Sequence, residues 1–194
     1  MTLAETLVAI TIFTIGITGF TTLFVETWKS NSFVLEKGQI ITTATQALRG
    51  IEGKLRSLRQ GSNGDYAVKS AGDFDLTVYL DDDKDTIVER VHYYLDEPND
   101  KFQKGVTNPN EDGTYPAGDQ SVTTLASYVT NTDSQHLFNY YGKNYPPENL
   151  TSPITLTDVR LVEVSLWVNI KPLTAPDNIN IQSVTQLRNI GENQ

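Results

Sequence analysis

From Thr6 to Val25 the chain carries no charged side chain, and beyond Trp28 it turns polar, rich in Asn and Thr. The apolar run is long enough to cross a bilayer as a helix. No Lys or Arg precedes it, and Glu5 is the only charged residue before Glu26. An ordinary secretory signal, basic before its apolar stretch and followed by a small-residue cleavage site, does not fit that arrangement.

A helical pattern continues after Trp28. Ile41, Ala44, Leu48, Ile51, Leu55 and Leu58 recur at alternating steps of three and four, with Gln39, Gln46, Arg49, Glu52 and Arg56 opposite. Such a stripe predicts a one-sided helix lying on a sheet. Gly61-Ser62-Asn63-Gly64 predicts its stop, and Gly38, Gly50 and Gly53 weaken it locally.

Past Gly64 the period falls to two. Phe74–Leu80, Ile87–Leu95, Val159–Ile170 and Ile179–Arg188 read as strands. In the third, Val162, Val164, Leu166, Val168 and Ile170 alternate with Glu163, Ser165, Trp167 and Asn169, as in a half-buried strand. Residues 171–178 form a loop able to close a hairpin between the last two runs. Residues 96–153, dense in Asn, Gly, Pro, Tyr and Thr, read as a long loop region with a short helix near 120–129. The expected fold is α+β: a long N-terminal helix packed on a C-terminal antiparallel sheet. Its segments are an apolar helix over 1–27, an amphipathic helix over 28–60 and a β-rich domain over 61–194.

Charge and composition narrow the function. Acidic residues outnumber basic ones 24 to 15, a net charge of -9. Nucleic-acid binding, which needs clustered cations to replace phosphate counterions, is not expected. Cysteine is absent, which removes thiol catalysis, Cys-based metal sites and disulfides.

Glu5 stands inside the apolar end of a membrane-length segment, where a carboxylate is costly and marks function, unless it rests in the headgroup layer. Thr11, Thr14 and Thr18, with Thr21 and Thr22, share a helix face, and Gly16 and Gly19 add small residues nearby. Small and hydroxyl side chains at this spacing suit close helix packing. The other reading is simple tolerance of Thr in such a helix.

The first ten residues, Met1-Thr2-Leu3-Ala4-Glu5-Thr6-Leu7-Val8-Ala9-Ile10, resemble the mature N-terminus of type IV pilins and type II secretion pseudopilins. Those families begin Phe-Thr-Leu-Ile-Glu-Leu-Leu-Val-Ala-Ile; Met1, Ala4 and Thr6 depart, as does Thr22 where pilins often have Pro. The resemblance covers about the first 25 residues. It implies a leader removed by a prepilin peptidase, methylation of the Met1 amine, and pairing of Glu5 with a neighbouring subunit's N-terminus. Opposite charges in an apolar bundle attract strongly and are costly alone, so pairing supplies register more than stability. The implied function is structural, not enzymatic: a subunit of an extracellular pilus-like filament, single-pass in the membrane before assembly. Its partners would be copies of itself, other pilins and the pilus assembly machinery. Two alternatives stay open, a pseudopilin of a secretion or DNA-uptake system and a tethered calcium- or glycan-binding domain that never polymerises.

Calcium is the one candidate cofactor. Asp81, Asp83, Asp85 and Glu89 occupy ligand positions 1, 3, 5 and 9 of an EF-hand-like loop between two expected strands. Thr86 stands where that loop has Gly and His92 where it has a bidentate acid, so a solvated acidic turn is the alternative. Residues 86–94 are also similar to a feature of minor pilin-like proteins. Asn149-Leu150-Thr151 is a glycosylation acceptor pattern. His92 and His136 lie in no triad-like pattern and are expected to be structural or exposed. The tyrosines of 140–145 suit either a contact surface or packing under a loop.

Overall fold

The computed structural model describes residues 2–143, 145, 149–150, 153–169 and 178–187. Two compact units divide the chain, Met1–Gln39 and Ile40–Gln194. The expected connection between the last two strands, 171–178, lies outside the described residues except for Asn178.

Helix α1 spans Leu3–Leu55 and crosses Gly16, Gly19, Gly38, Gly50 and Gly53 without interruption. Every residue from Thr2 to Asn31 is exposed. The large apolar side chains there stand open all round the helix, Leu3, Phe13, Phe20 and Trp28 among them. Phe20, Phe24 and Trp28, one helical turn apart, form a ladder of rings with centroids 6.4 and 6.1 Å apart.

In the second unit, the stripe read from the sequence is buried through Ala44, Leu48, Ile51 and Leu55, while Ile41 is half-buried. The helix ends at Leu55, earlier than the glycine-rich stop predicted. The Ser57 amide closes on the Lys54 carbonyl, and Leu58 then bridges Leu80 as extended chain. Leu58 is buried as the periodicity required, but by joining a sheet instead of continuing a helix.

The strands form two antiparallel sheets where one was expected. The first has the order β1 (Val68–Ala71), β2 (Asp75–Leu80), β3 (Glu89–Asp96), β4 (Lys101–Thr107), β5 (Ser121–Ser127). The second has the order β6 (Phe138–Tyr141), β7 (Leu161–Val168), β8 (Ile179–Gln186). Residues 96–153 therefore are not the loop region expected: they contribute β4, β5 and β6, and the predicted short helix is β5. The cause is packing. Phe102, Phe138 and Tyr140 from this stretch are fully buried, and β4 lies between two partners that supply its ladder hydrogen bonds.

Residues 128–131 join the sheets. The Val129 amide donates to the Asp100 carbonyl at 3.0 Å, and the Thr130 amide to the Trp167 carbonyl at 2.7 Å. Tyr128 turns the corner with φ of 61°. The core collects Leu48, Ile51 and Leu55 from the helix with residues of both sheets. Val162, Val164, Leu166 and Val168 point inward on β7 as their alternation predicts.

The connection between β4 and β5 folds back over the first sheet. The Tyr115 hydroxyl donates to the Val88 carbonyl at 2.6 Å and accepts from the Ser62 amide at 3.0 Å, with its ring 5.0 Å from that of Tyr79. Gly113, at φ of 80°, passes so close that an added Cβ would lie 2.9 Å from the Ser62 carbonyl oxygen. Buried Arg90 donates to Thr107 Oγ1 at 3.0 Å and to the Gly118 carbonyl, which leaves this inward charge hydrogen-bonded.

Candidate functional site

The first candidate is the helix start. Thr2 and Glu5 form a reciprocal cap: the Thr2 amide donates to Glu5 Oε2 at 2.7 Å, and the Glu5 amide donates to Thr2 Oγ1 at 3.4 Å. The Thr2 amide precedes the helix and finds no acceptor in its backbone, whereas the Glu5 amide also donates to the Thr2 carbonyl at 3.0 Å. The signal was legible as Thr-x-x-Glu, yet Thr2 entered the sequence reading only as a motif match. Met1 lies outside the described residues.

The threonines expected to pack against a neighbouring helix are exposed along α1 and bond within it. Thr11 Oγ1 donates to the Leu7 carbonyl at 2.9 Å, Thr14 to Ile10 at 2.8 Å and Thr18 to Thr14 at 2.8 Å. Thr21, Thr22 and Thr27 do the same one turn back. Each hydroxyl proton is thus spent inside the helix, and these threonines offer a neighbour small methyl-bearing surface and acceptor lone pairs rather than donors. Nothing lies within 4 Å of the positions a Cβ would take at Gly16 and Gly19.

The second candidate is the turn from β2 to β3. Carboxylate oxygens of Asp81, Asp83 and Glu89 lie within 4.8 Å of one another. Asp85 is not in that group: its Oδ1 accepts the Ile87 amide at 2.8 Å. Asp81 accepts from the Lys84 amide at 2.6 Å and the Thr86 amide at 3.2 Å, and both donors have positive φ. Glu89 is buried and accepts the Asp82 amide at 2.6 Å. Burial pushes its carboxyl up, and the charges of Asp83 and Asp85 push the same way.

The three carboxylates fit a hard cation in donor chemistry, because calcium takes oxygen ligands and offsets the mutual repulsion of a half-buried acid cluster. They would supply part of the six to eight oxygens such an ion needs. Millimolar calcium is expected to raise the unfolding midpoint, with about 1.4 kcal/mol gained at ten times the dissociation constant. Glu89→Gln should lose that response while keeping an oxygen for the Asp82 amide. In calcium-free buffer at neutral pH it should unfold at or above the parent's midpoint. With its carboxyl raised, Glu89 contributes stability that is fully present below the ordinary 4.5 and lost as pH rises through the raised value. A calcium titration that leaves the midpoint unmoved removes the cation site.

Asp82 points the other way and was not singled out in the sequence. Its Oδ2 accepts from Lys104 Nζ at 2.8 Å, and Lys54 Nζ lies 3.3 Å from Oδ1 while donating to the Asp82 carbonyl. Oδ1 receives no hydrogen bond, so Lys54 serves it as an ion-pair partner only. Burial alone would raise this carboxyl, but Lys104 and then Lys54 outweigh it and hold it below the ordinary 3.8. The resulting stability is present above that value and lost as pH falls through the lowered one. Asp82→Asn should therefore cost about 2 kcal/mol at neutral pH. The cost should vanish in strong acid, as read from denaturant midpoints at both pH values.

The remaining residues are placed structurally. His92 Nδ1 lies 3.2 Å from Asp119 Oδ2 with its ring stacked on Tyr94, and His136 Nε2 lies 2.9 Å from the Asp133 carbonyl oxygen. Tyr140 and Tyr141 are buried, which takes them out of any contact surface; Tyr145 is exposed with its ring against Tyr141. Asn149 is exposed and bridges Tyr141, while Thr151 of its acceptor pattern lies outside the described residues. No family model, no curated protein and no solved structure matches this chain.

Proposed function

We propose that the chain is a structural subunit of an extracellular type IV pilus-like filament, built by packing its N-terminal helix among copies of itself. One observation carries the reading: from Thr2 to Asn31 an apolar helix is exposed on every side. Leaving its large side chains in water costs about 2 kcal/mol each. Summed from Leu3 to Trp28, that exceeds the whole stability of an ordinary domain, about 5–15 kcal/mol. The segment requires apolar surroundings, and by length and composition it can find them in a membrane.

Lipid alone does not account for Glu5. A plain anchor gains from that carboxylate only the cap it lends its own first turn through the Thr2 amide, whereas a bundle of identical helices also gains a register element when the acid meets a neighbour's terminal amine. The back-bonded threonines with Gly16 and Gly19 offer the small surfaces on which helices approach closely when no hydrophobic force separates lipid from protein. The likeness of the first ten residues to mature pilins and pseudopilins supports the same reading.

Electron microscopy of purified surface appendages tests it. Long filaments containing the chain are the expected result, and short or sparse ones favour the pseudopilin. Molecules that stay solitary in detergent and in membranes at every concentration exclude both.

A further inference from the structure

A cleft of about 250 Å³ opens where residues 128–131 join the two sheets. Val129, Phe74 and Leu95 give it an apolar floor, the first buried and the other two half-buried. Glu97, Asp100 and Asp133, all exposed, stand around its mouth, and among the described residues no Lys, Arg or His lines it. Nor does any hydrogen bond or ion pair among those residues engage the three carboxylates. His136 packs on Phe74 outside the cleft, where its Nδ1 lies 3.6 Å from Asp73 Oδ1.

The walls are fixed by hydrogen bonds that need no ligand. The Val129 amide donates to the Asp100 carbonyl at 3.0 Å, and the Leu95 amide to the Phe74 carbonyl at 3.0 Å. Asn131 Nδ2 donates to the Gln135 and Ser165 carbonyls at 2.9 and 2.8 Å, and its Oδ1 accepts the Trp167 amide at 3.0 Å. Tyr128 meets Asn169 while Asn131 meets Ser165, so the chain from Thr130 to Asp133 leads away from the Asn169 end of that pairing. Asp100 caps the short turn Glu97–Asn99 at φ of 51°. A cleft built this way loses little freedom when it is filled.

We infer that this cleft binds a small organic cation, an ammonium or guanidinium group carried on a short apolar stem. The carboxylates select the sign, because a cleft lined by one charge with low-dielectric walls concentrates the opposite one. The floor selects the stem: a bare hydrated ion would leave Val129, Phe74 and Leu95 uncovered. Geometry also disfavours a metal. Among the described residues the acids whose oxygens converge within 4.8 Å are Asp81, Asp83 and Glu89, and the three of the cleft form no such group. The volume falls below the roughly 300–1,000 Å³ of pockets that enclose drug-sized ligands, so it suits a group no larger than one side chain. A net charge of -9 draws such cations from a distance. This inference concerns the second unit and goes beyond the filament reading, whose success or failure leaves the cleft unchanged.

Calorimetric titration of butylguanidinium into the full-length chain, in uncharged detergent at low salt, tests it. One saturable site is expected, with a Kd of about 1 mM or tighter. Butylurea has the same shape without the charge, and methylguanidinium has the charge without the stem; both should bind more weakly. Asp100→Asn combined with Asp133→Asn should weaken butylguanidinium by about tenfold. The fold should survive, because both carboxylates are exposed and asparagine accepts the positive φ of position 100. Glu36→Gln combined with Glu111→Gln removes as much charge from exposed positions elsewhere and should leave the affinity within about twofold. A blocked tripeptide with one arginine distinguishes the sources. Binding as tight as that of butylguanidinium supports a side chain of a partner polypeptide, and its failure beside a bound free cation supports a free amine. No saturable heat, equal binding of butylurea or methylguanidinium, or equal affinity in the two double variants overturns the inference.

Discussion

Glu5→Ala is expected to enter membranes as the parent does and to lose ordered filament assembly. The insertion signal is the uncharged run from Thr6 to Val25, which the substitution leaves whole. What disappears is the only carboxylate near the apolar end. In the structure that side chain also caps its own helix through the Thr2 amide. Alanine therefore removes two things at once, a partner for a neighbour's amine and a helix cap worth about 1 kcal/mol. Glu5→Gln separates them. An amide oxygen can still accept from the Thr2 amide, as capping boxes with Gln do, but it brings no charge. If intersubunit charge pairing drives register, Gln should fail to assemble as Ala does. If the cap is what matters, Gln should assemble normally and Ala should not. Filament yield by electron microscopy, with membrane fractionation as the control, reads the difference. Normal filaments from both variants would end the pairing mechanism.

Phe102→Ala carries the largest expected stability loss, about 3–5 kcal/mol. Phe102 is fully buried on interior strand β4, with its ring centroid 6.4 Å from that of Tyr93 and 6.2 Å from that of Phe138. It thus touches both sheets across the core. Removing it leaves a cavity between a five-stranded and a three-stranded layer whose backbones are tied by residues 128–131 and cannot collapse freely. Against a total near 5–15 kcal/mol, the loss should lower the thermal midpoint by about 10 °C. Phe102→Leu, which fills much of the volume, should cost less than half as much. A midpoint within a degree of the parent for the alanine variant would contradict the packing described.

The elements legible in the sequence are those whose pattern is local. The buried stripe of α1 from Ala44 to Leu55, the alternation on β7, and the runs that became β2, β3 and β8 all announce themselves by period. β4 and β5 do not. Lys101–Thr107 has only Phe102 and Val106 as large apolar residues, and Ser121–Ser127 keeps most of its side chains exposed. Their strand character comes from hydrogen bonds lent by neighbours, which no window along the chain records. The acidic turn divides in the same way. Its sequence marks Asp81, Asp83, Asp85 and Glu89 as candidates, but only backbone geometry turns Asp85 to the Ile87 amide and Asp82 towards Lys54 and Lys104.

By itself the amino-acid sequence determined that this chain has a membrane-length apolar helix, an acid near its start, and a polar β-rich remainder. Those are properties of composition and period, and they persist whatever the chain touches. Only the tertiary structure decided that the remainder forms two sheets, which strands stand at their edges, and which carboxylates meet. Such relations join residues far apart in the chain, and their energies come from burial and hydrogen-bond partners that exist only once the strands have met.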